Sequence, residues 1–395
     1  MTRRLGAVSV LVASACLFVA ACSDSGTSAS STTSRRATTT TAAPADGLRL
    51  NQVQLIGSHN SYHIAPEPRL LASIESFAAK SPSIAKGLGD PATLAYTHAP
   101  LDIQLDRGAR TFELDVYNDP QGGLFAKPLG PSVLGVTDPV MPQNMDKPGI
   151  KVMHIVDIDY ITTCEPFIAC LTTLKTWSDA HPDHLPLMID IELENAGLPQ
   201  PVDFTKVVPF GAAQMDALDA EVRSVFTEKD LITPDWVRGS AGDLNSAVTK
   251  NGWPTLKQSR GRLLFFMDNT DASVATYLEG HPSLRGRVMF TSSTEGQPES
   301  AVVKVNDPTQ QDQIRRLVKA GYLVRTRADS DLTASTTERD QAFASGAQDI
   351  STDYPPGEPR ASDGYVVTFG SAVAGRCNPI DTTPTTCSAA DVAER

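Results

Sequence analysis

Residues 111–116 read Thr-Phe-Glu-Leu-Asp-Val, and residues 187–192 read Leu-Met-Ile-Asp-Ile-Glu. Each run is short and apolar, and each carries two acids at alternating positions. Successive strand side chains point to opposite faces, so Glu113 and Asp115 share one face while Phe112 and Leu114 share the other. The same parity aligns Asp190 with Glu192. Paired acids facing an interior repel each other unless a cation lies between them, so these two runs imply strands that converge on a metal.

Working outward, eight such runs recur, with helical or irregular stretches between them: Val53–Gly57, Thr111–Val116, Lys151–Ile155, Leu187–Glu192, Leu263–Met267, Arg287–Thr291, Tyr322–Thr326 and Gln348–Ser351. Helices are predicted at Asp102–Arg107, Leu171–Ala180, Ala212–Phe226 and Gln310–Ala320, the last amphipathic through Ile314, Leu317 and Val318 and stopped by Gly321. Strands that alternate with crossovers predict an α/β fold with a parallel sheet, here a (β/α)8 TIM barrel. Val302–Val305 reads either as a ninth short strand or as a continuation of the sixth.

The runs end in polar residues. His59 and Asn60 follow the first, Glu113 and Asp115 close the second, His154 the third, Asp190 and Glu192 the fourth. Asp268, Ser292, the pair Arg325 and Arg327, and Asp353 follow in the remaining four. A single histidine at a strand end is usually an ordinary hydrogen-bonding residue, and a single acid there often caps a helix. Their co-occurrence is what points to function, because a barrel gathers its site at the C-terminal ends of its strands. Asn60, Glu113, Asp115 and Glu192 offer only oxygen, which suits a hard cation such as Ca2+ or Mg2+ and not zinc. His59 and His154 are then free to act as acid and base, and with an arginine they suit a phosphodiester.

The ends of the chain carry a different signal. Arg3 and Arg4 precede an apolar run to Ala20, and Val19-Ala20-Ala21-Cys22 has the form of a bacterial lipobox, so residues 1–21 read as a lipoprotein signal peptide and Cys22 as the acylated start. A plain secretory signal is the rival reading, and Cys16 a weaker competing site. Residues 22–46 are rich in Ser, Thr and Ala and lack large apolar side chains, which makes them a disordered tether. Residues 47–360 form the expected catalytic barrel and 361–395 a C-terminal tail. The net charge of −12 argues against nucleic acid, so membrane proximity is expected to come from the lipid anchor on an exported, monomeric protein. Besides Cys16 and Cys22 four cysteines remain, and an even number in an exported chain reads as disulfides. Of three pairings, sequence spacing favours Cys164 with Cys170 and Cys377 with Cys387. A four-cysteine metal site is the alternative, without the usual tight spacing.

The segments Ile56-Gly57-Ser58-His59-Asn60-Ser61-Tyr62, 108–116, Val152-Met153-His154 and 187–192 stand in the order of the catalytic half of the phosphoinositide-specific phospholipases C. Residues 321–329 and 345–354 match the second half. From about residue 50 to about residue 356 the chain resembles this family, and most closely its bacterial calcium-dependent branch. The resemblance implies one Ca2+ held by Asn60, Glu113, Asp115 and Glu192, with Glu194 or Asp190 as possible substitutes for Glu192. It implies catalysis by His59 and His154, and contact of Arg325 or Arg327, with Tyr354, to phosphate or inositol. The implied reaction cleaves phosphatidylinositol to diacylglycerol and a cyclic inositol phosphate that water can open. The eukaryotic enzymes grip ring phosphates with two lysines on the fifth strand; Arg262–Met267 offers none, which favours an unphosphorylated head group. Two rivals share much of this pattern. A glycerophosphodiester phosphodiesterase has the same barrel, but His-Arg where this chain has His59-Asn60. A lipid-binding barrel without catalysis would have no need of His59 and His154.

Overall fold

The computed structural model describes residues 47–80, 89–198, 203–370 and 373–394. Ten strands share one sheet: β1 (Val53–Ser58), β2 (Thr111–Tyr117), β3 (Lys151–Val152), β4 (Leu187–Leu193), β5 (Leu263–Met267), β6 (Phe290–Thr291), β7 (Val302–Lys304), β8 (Leu323–Arg327), β9 (Asp349–Thr352) and β10 (Gly375–Cys377). Eight of them run parallel in the order β6-β5-β4-β2-β1-β9-β8-β7. A parallel bridge between Ser292 and Val302 brings the two ends of that order together, which makes a nearly closed (β/α)8 barrel. At the β1–β2 contact only glycine fits: a Cβ on Gly57 would lie 1.7 Å from the Thr111 carbonyl oxygen.

Three sequence expectations need correction. Lys151–Ile155 is not a barrel strand; only Lys151–Val152 is extended, and it pairs antiparallel with the end of β2, Val116 opposite Val152. A parallel partner needs a crossover over the barrel wall, whereas the connection from β2 carries a single helix of four residues, Gly130–Val133, and turns back on its own strand. The missing barrel strand is β7, which pairs in parallel with β8 and is not a continuation of β6. The recount makes Leu263–Met267 the fourth barrel strand and Phe290–Thr291 the fifth, and the fifth also lacks lysine. The expected strand from Arg287 begins only at Phe290, and Arg287 is a buried residue whose guanidinium meets Asp216 and Asp219.

Helices cover the barrel. Gln311–Ala320 buries Ile314, Leu317 and Val318 and stops at Gly321, whose φ of 101° is left-handed. Burying three such side chains contributes roughly 5–9 kcal/mol before entropy is counted. Above the C-terminal ends of β1, β2 and β4, a second core gathers Leu70, Ile74, Phe125, Met153, Ile158 and Tyr160 into a cap over one side of the barrel mouth. At the opposite end the tail adds β10 to β1, antiparallel, with Val53 opposite Cys377. The structure pairs Cys164 with Cys170 and Cys377 with Cys387. Among the described residues no helix is long and apolar enough to cross a membrane. The signal peptide, Cys22 and the tether lie outside the described residues.

Candidate active site

The register of β2 against β4 stacks the acids in two rungs, Glu113 beside Asp190 and Asp115 beside Glu192. Glu113, Asp115 and Glu192 each place a carboxylate oxygen within 4.8 Å of the others. Within this group Arg325 compensates Glu113 alone by direct contact, and the remaining acids repel one another. Burial, then Glu192 and Glu113, pushes Asp115 well above the carboxylate range. Burial, then Asp268 and Glu113, pushes Glu192 up to about 8. Asn60 joins this group from the turn after β1, held at a left-handed φ of 46°. Its amide lies 3.2 Å from each Asp115 oxygen and 3.1 Å from the Tyr96 hydroxyl. With its nitrogen toward Asp115 it makes ordinary hydrogen bonds; with its oxygen there it meets only acceptors, the orientation a cation requires. Four oxygen donors, three of them clustered like charges with Glu113 and Asp115 buried and Glu192 half-buried, fit a hard divalent ion.

The two histidines line one cleft of about 410 Å3 together with Asn60, Tyr96, Leu332 and Asp353. His59 Nδ1 lies 2.9 Å from Asp353 Oδ1, and its Nε2 lies 3.9 Å from Glu113 Oε1. The carbonyl of His59 is fixed by His98 Nε2 at 3.0 Å, and His98 is in turn held by Glu358. Burial, then the Arg327 guanidinium, holds the His59 imidazole below its ordinary value, against the opposing pull of Glu113 and Asp353. His154 Nδ1 lies 2.8 Å from Asp159 Oδ2. Burial is the largest influence on His154 and lowers it, but the Asp159 bond and charge, with Glu194 and Glu192, leave it above its ordinary value.

The other expected site residues are placed differently from one another. Arg327 reaches His59 Nδ1 at 3.2 Å and Asp353 at 3.1 Å, so it stands at the cleft. Arg325 lies one rung deeper, 2 % exposed, with Glu113 Oε2 at 2.5 Å, Asp268 at 3.3 Å and Asp190 at 3.8 Å. It braces the acids from below, and no part of it opens on the cleft. Tyr354 donates its hydroxyl to the Leu332 carbonyl at 2.8 Å and stands behind the cleft wall. Asp190 belongs with Arg325 and Asp268 in the deeper layer, and Glu194 is a half-buried charged neighbour of His154. Sequence reasoning missed His63, Tyr96 and Asp159 and gave Asp353 no role. Only Asp353, closing a strand, had a local signal.

The model of the family described as phosphoinositide phospholipase C, Ca2+-dependent, matches residues 48–379. The chain belongs to this family. Solved calcium-dependent phosphoinositol-specific phospholipases C are similar to it. That of a Pseudomonas species, in its apo form, has 15 % identity and a TM-score of 0.49, covering 81 % of this chain and 94 % of that one. That of Streptomyces antibioticus has 16 % identity and a TM-score of 0.49, covering 78 % and 95 %. The phosphatidylinositol-specific enzyme of Listeria monocytogenes has 11 % identity and a TM-score of 0.39, covering 78 % and 90 %. No curated protein matches the chain. In this member of a Ca2+-dependent family, Glu113, Asp115 and Glu192 form a group whose geometry suits a metal ion.

Proposed function

We propose that the protein cleaves phosphatidylinositol to diacylglycerol and a cyclic inositol phosphate, with His59 as base and His154 as acid. The observation that carries this reading is geometric: the two imidazoles line one cleft, each with Nδ1 on a buried carboxylate, beside the group formed by Glu113, Asp115 and Glu192; the opposite directions of their shifts agree with the division of roles. The Asp353 carboxylate accepts a hydrogen bond from His59 Nδ1–H, which leaves the Nε2 lone pair free to accept the proton of the inositol 2-hydroxyl as it attacks phosphorus. Asp159 likewise fixes the Nδ1 proton of His154, whose raised affinity keeps a second proton to hand to the departing glycerol oxygen. Arg327 is placed to meet a phosphate oxygen beside His59. Asn60, Glu113, Asp115 and Glu192 would hold one Ca2+, which when bound supplies charge compensation for the phosphate and acidifies the hydroxyl. Arg325 keeps Glu113 aimed from beneath. An acylated Cys22 would tether the exported protein at the surface where its substrate lies.

The substrate assignment is tested by following phosphorus NMR with phosphatidylinositol and, separately, glycerophosphoinositol. A cyclic inositol phosphate from the lipid is expected. Glycerol phosphate from glycerophosphoinositol, with the lipid untouched, would move the chain to the glycerophosphodiesterase reading.

A further inference from the structure

Asp159 lies in the middle of the cap core, between Ile158 and Tyr160, and is 1 % exposed. Burying a carboxylate there costs several kcal/mol unless its partners repay it. Its partners are two histidines on a single oxygen: Oδ2 lies 2.6 Å from His63 Nε2 and 2.8 Å from His154 Nδ1. Oδ1 has no hydrogen-bond partner among the described residues. A carboxylate present only to staple the cap would spread its bonds over backbone amides, as its neighbour Asp157 does with Leu129 and Thr205.

The surroundings fix the geometry from both sides. Asp159 closes a tight turn on Ile155, with Asp159 N to Ile155 O at 2.8 Å and Ile155 N to Asp159 O at 3.0 Å. His63 is fully buried, stacks on Tyr96 at 4.1 Å between ring centroids, and meets the Tyr96 carbonyl oxygen through Nδ1 at 3.0 Å. Its two ring nitrogens therefore face oxygen acceptors only. The edge of its ring meets the ring of His154, the centroids 5.6 Å apart.

We propose that Asp159 is the positioning residue for His154, and that His63 is the clamp that holds the Asp159 carboxylate in place. The inference rests on the reading of His154 as the acid. Asp159 selects the Nδ1-protonated form of His154 and aims Nε2 into the cleft, while the second bond to His63 keeps the carboxylate from turning away. The other charged or titratable groups around His154 are Glu194 and Glu192, with the Tyr117 hydroxyl on its carbonyl; around Asp159 there is also Tyr96.

The test is Asp159→Asn assayed on phosphatidylinositol across pH, beside His63→Gln and His154→Gln. Asp159→Asn is expected to lower kcat about tenfold to a hundredfold, leave KM within about twofold, and move the alkaline limb to lower pH, because the charge that holds the His154 proton is gone. His63→Gln keeps a donor toward Asp159 and is expected to cost less. An inactive His154→Gln beside an unaffected Asp159→Asn, in both rate and pH limb, overturns the inference alone. A fully active His154→Gln sinks the acid assignment itself. Should Asp159→Asn fail to fold, the wild-type protein still decides: a far-downfield, exchange-protected imidazole proton that disappears in His154→Gln is expected, and its absence overturns the proposal.

Discussion

His59 Nδ1 stands 2.9 Å from Asp353 Oδ1, two residues 294 positions apart in the chain that adjacent strands, β1 and β9, deliver to one cleft. Burial is the largest influence on Asp353 and opposes ionisation, yet the bond and charge of His59, with Arg327, hold its carboxyl well below the usual range. Asp353 is thus a fixed anion whose bonds go to His59, Arg327 and the Leu332 amide.

Asp353→Asn is expected to reduce kcat by about a hundredfold with little change in KM, since the amide can present its donor to His59 and select the wrong tautomer. Steady-state kinetics on phosphatidylinositol check this, with circular dichroism to confirm the fold. Unchanged kcat would remove Asp353 from the role of fixing the His59 tautomer.

With His59 as base and His154 as acid, the opposite shifts are expected to give a bell-shaped pH profile. As the proposed base His59 must be neutral, and its value is lowered, so activity is expected to fall as pH drops below the ordinary histidine range. As the proposed acid His154 must be protonated, and its value is raised, so activity is expected to be lost on the alkaline side of that range. Arg327→Gln removes a charge that lowers His59 and is expected to shift the acid limb to higher pH. A pH–kcat/KM series in the two proteins measures it.

Glu192 at about 8 makes the metal-free protein sensitive to pH. The folded state binds the Glu192 proton more tightly than the unfolded chain, so stability in chelator is expected to fall as pH rises from the carboxylate range toward 8. Calcium should reverse this, by about 2.7 kcal/mol at a hundredfold excess over Kd. Glu192→Gln is expected to flatten the pH dependence in chelator and to weaken the calcium response. Thermal melts with and without calcium, from pH 5 to pH 8, read all three effects.

At the far end of the barrel, Arg110 is buried, reaches the Leu105 and Ala109 carbonyls and packs over Trp177, with Glu394 as its carboxylate partner. Glu394→Ala leaves that guanidinium without its counter-charge and is expected to cost about 3 kcal/mol of stability. Denaturant unfolding should show the loss, with kcat unchanged in the folded protein.

Much of this was legible in the sequence because parity is local. The alternation in 111–116 and 187–192 is enough to put Glu113, Asp115 and Glu192 on one face, and the barrel then brings His59 to the same end. The apolar run at Lys151 misled because two residues of extended backbone look like the start of a longer strand; only the connection before it distinguishes a return from a crossover. Arg325 and Arg327 share parity, so the sequence could not tell the deeper rung from the cleft. His63, Tyr96 and Asp159 were not legible, because their role comes from contacts across the cap and no periodicity marks them.

The most direct measurement is the rate of phosphatidylinositol cleavage by the purified protein as calcium is titrated in and then removed with chelator. A rate that rises to saturation with calcium and disappears in chelator is expected, in step with binding of one ion. Full cleavage in chelator would contradict the assignment of Asn60, Glu113, Asp115 and Glu192 as the metal site.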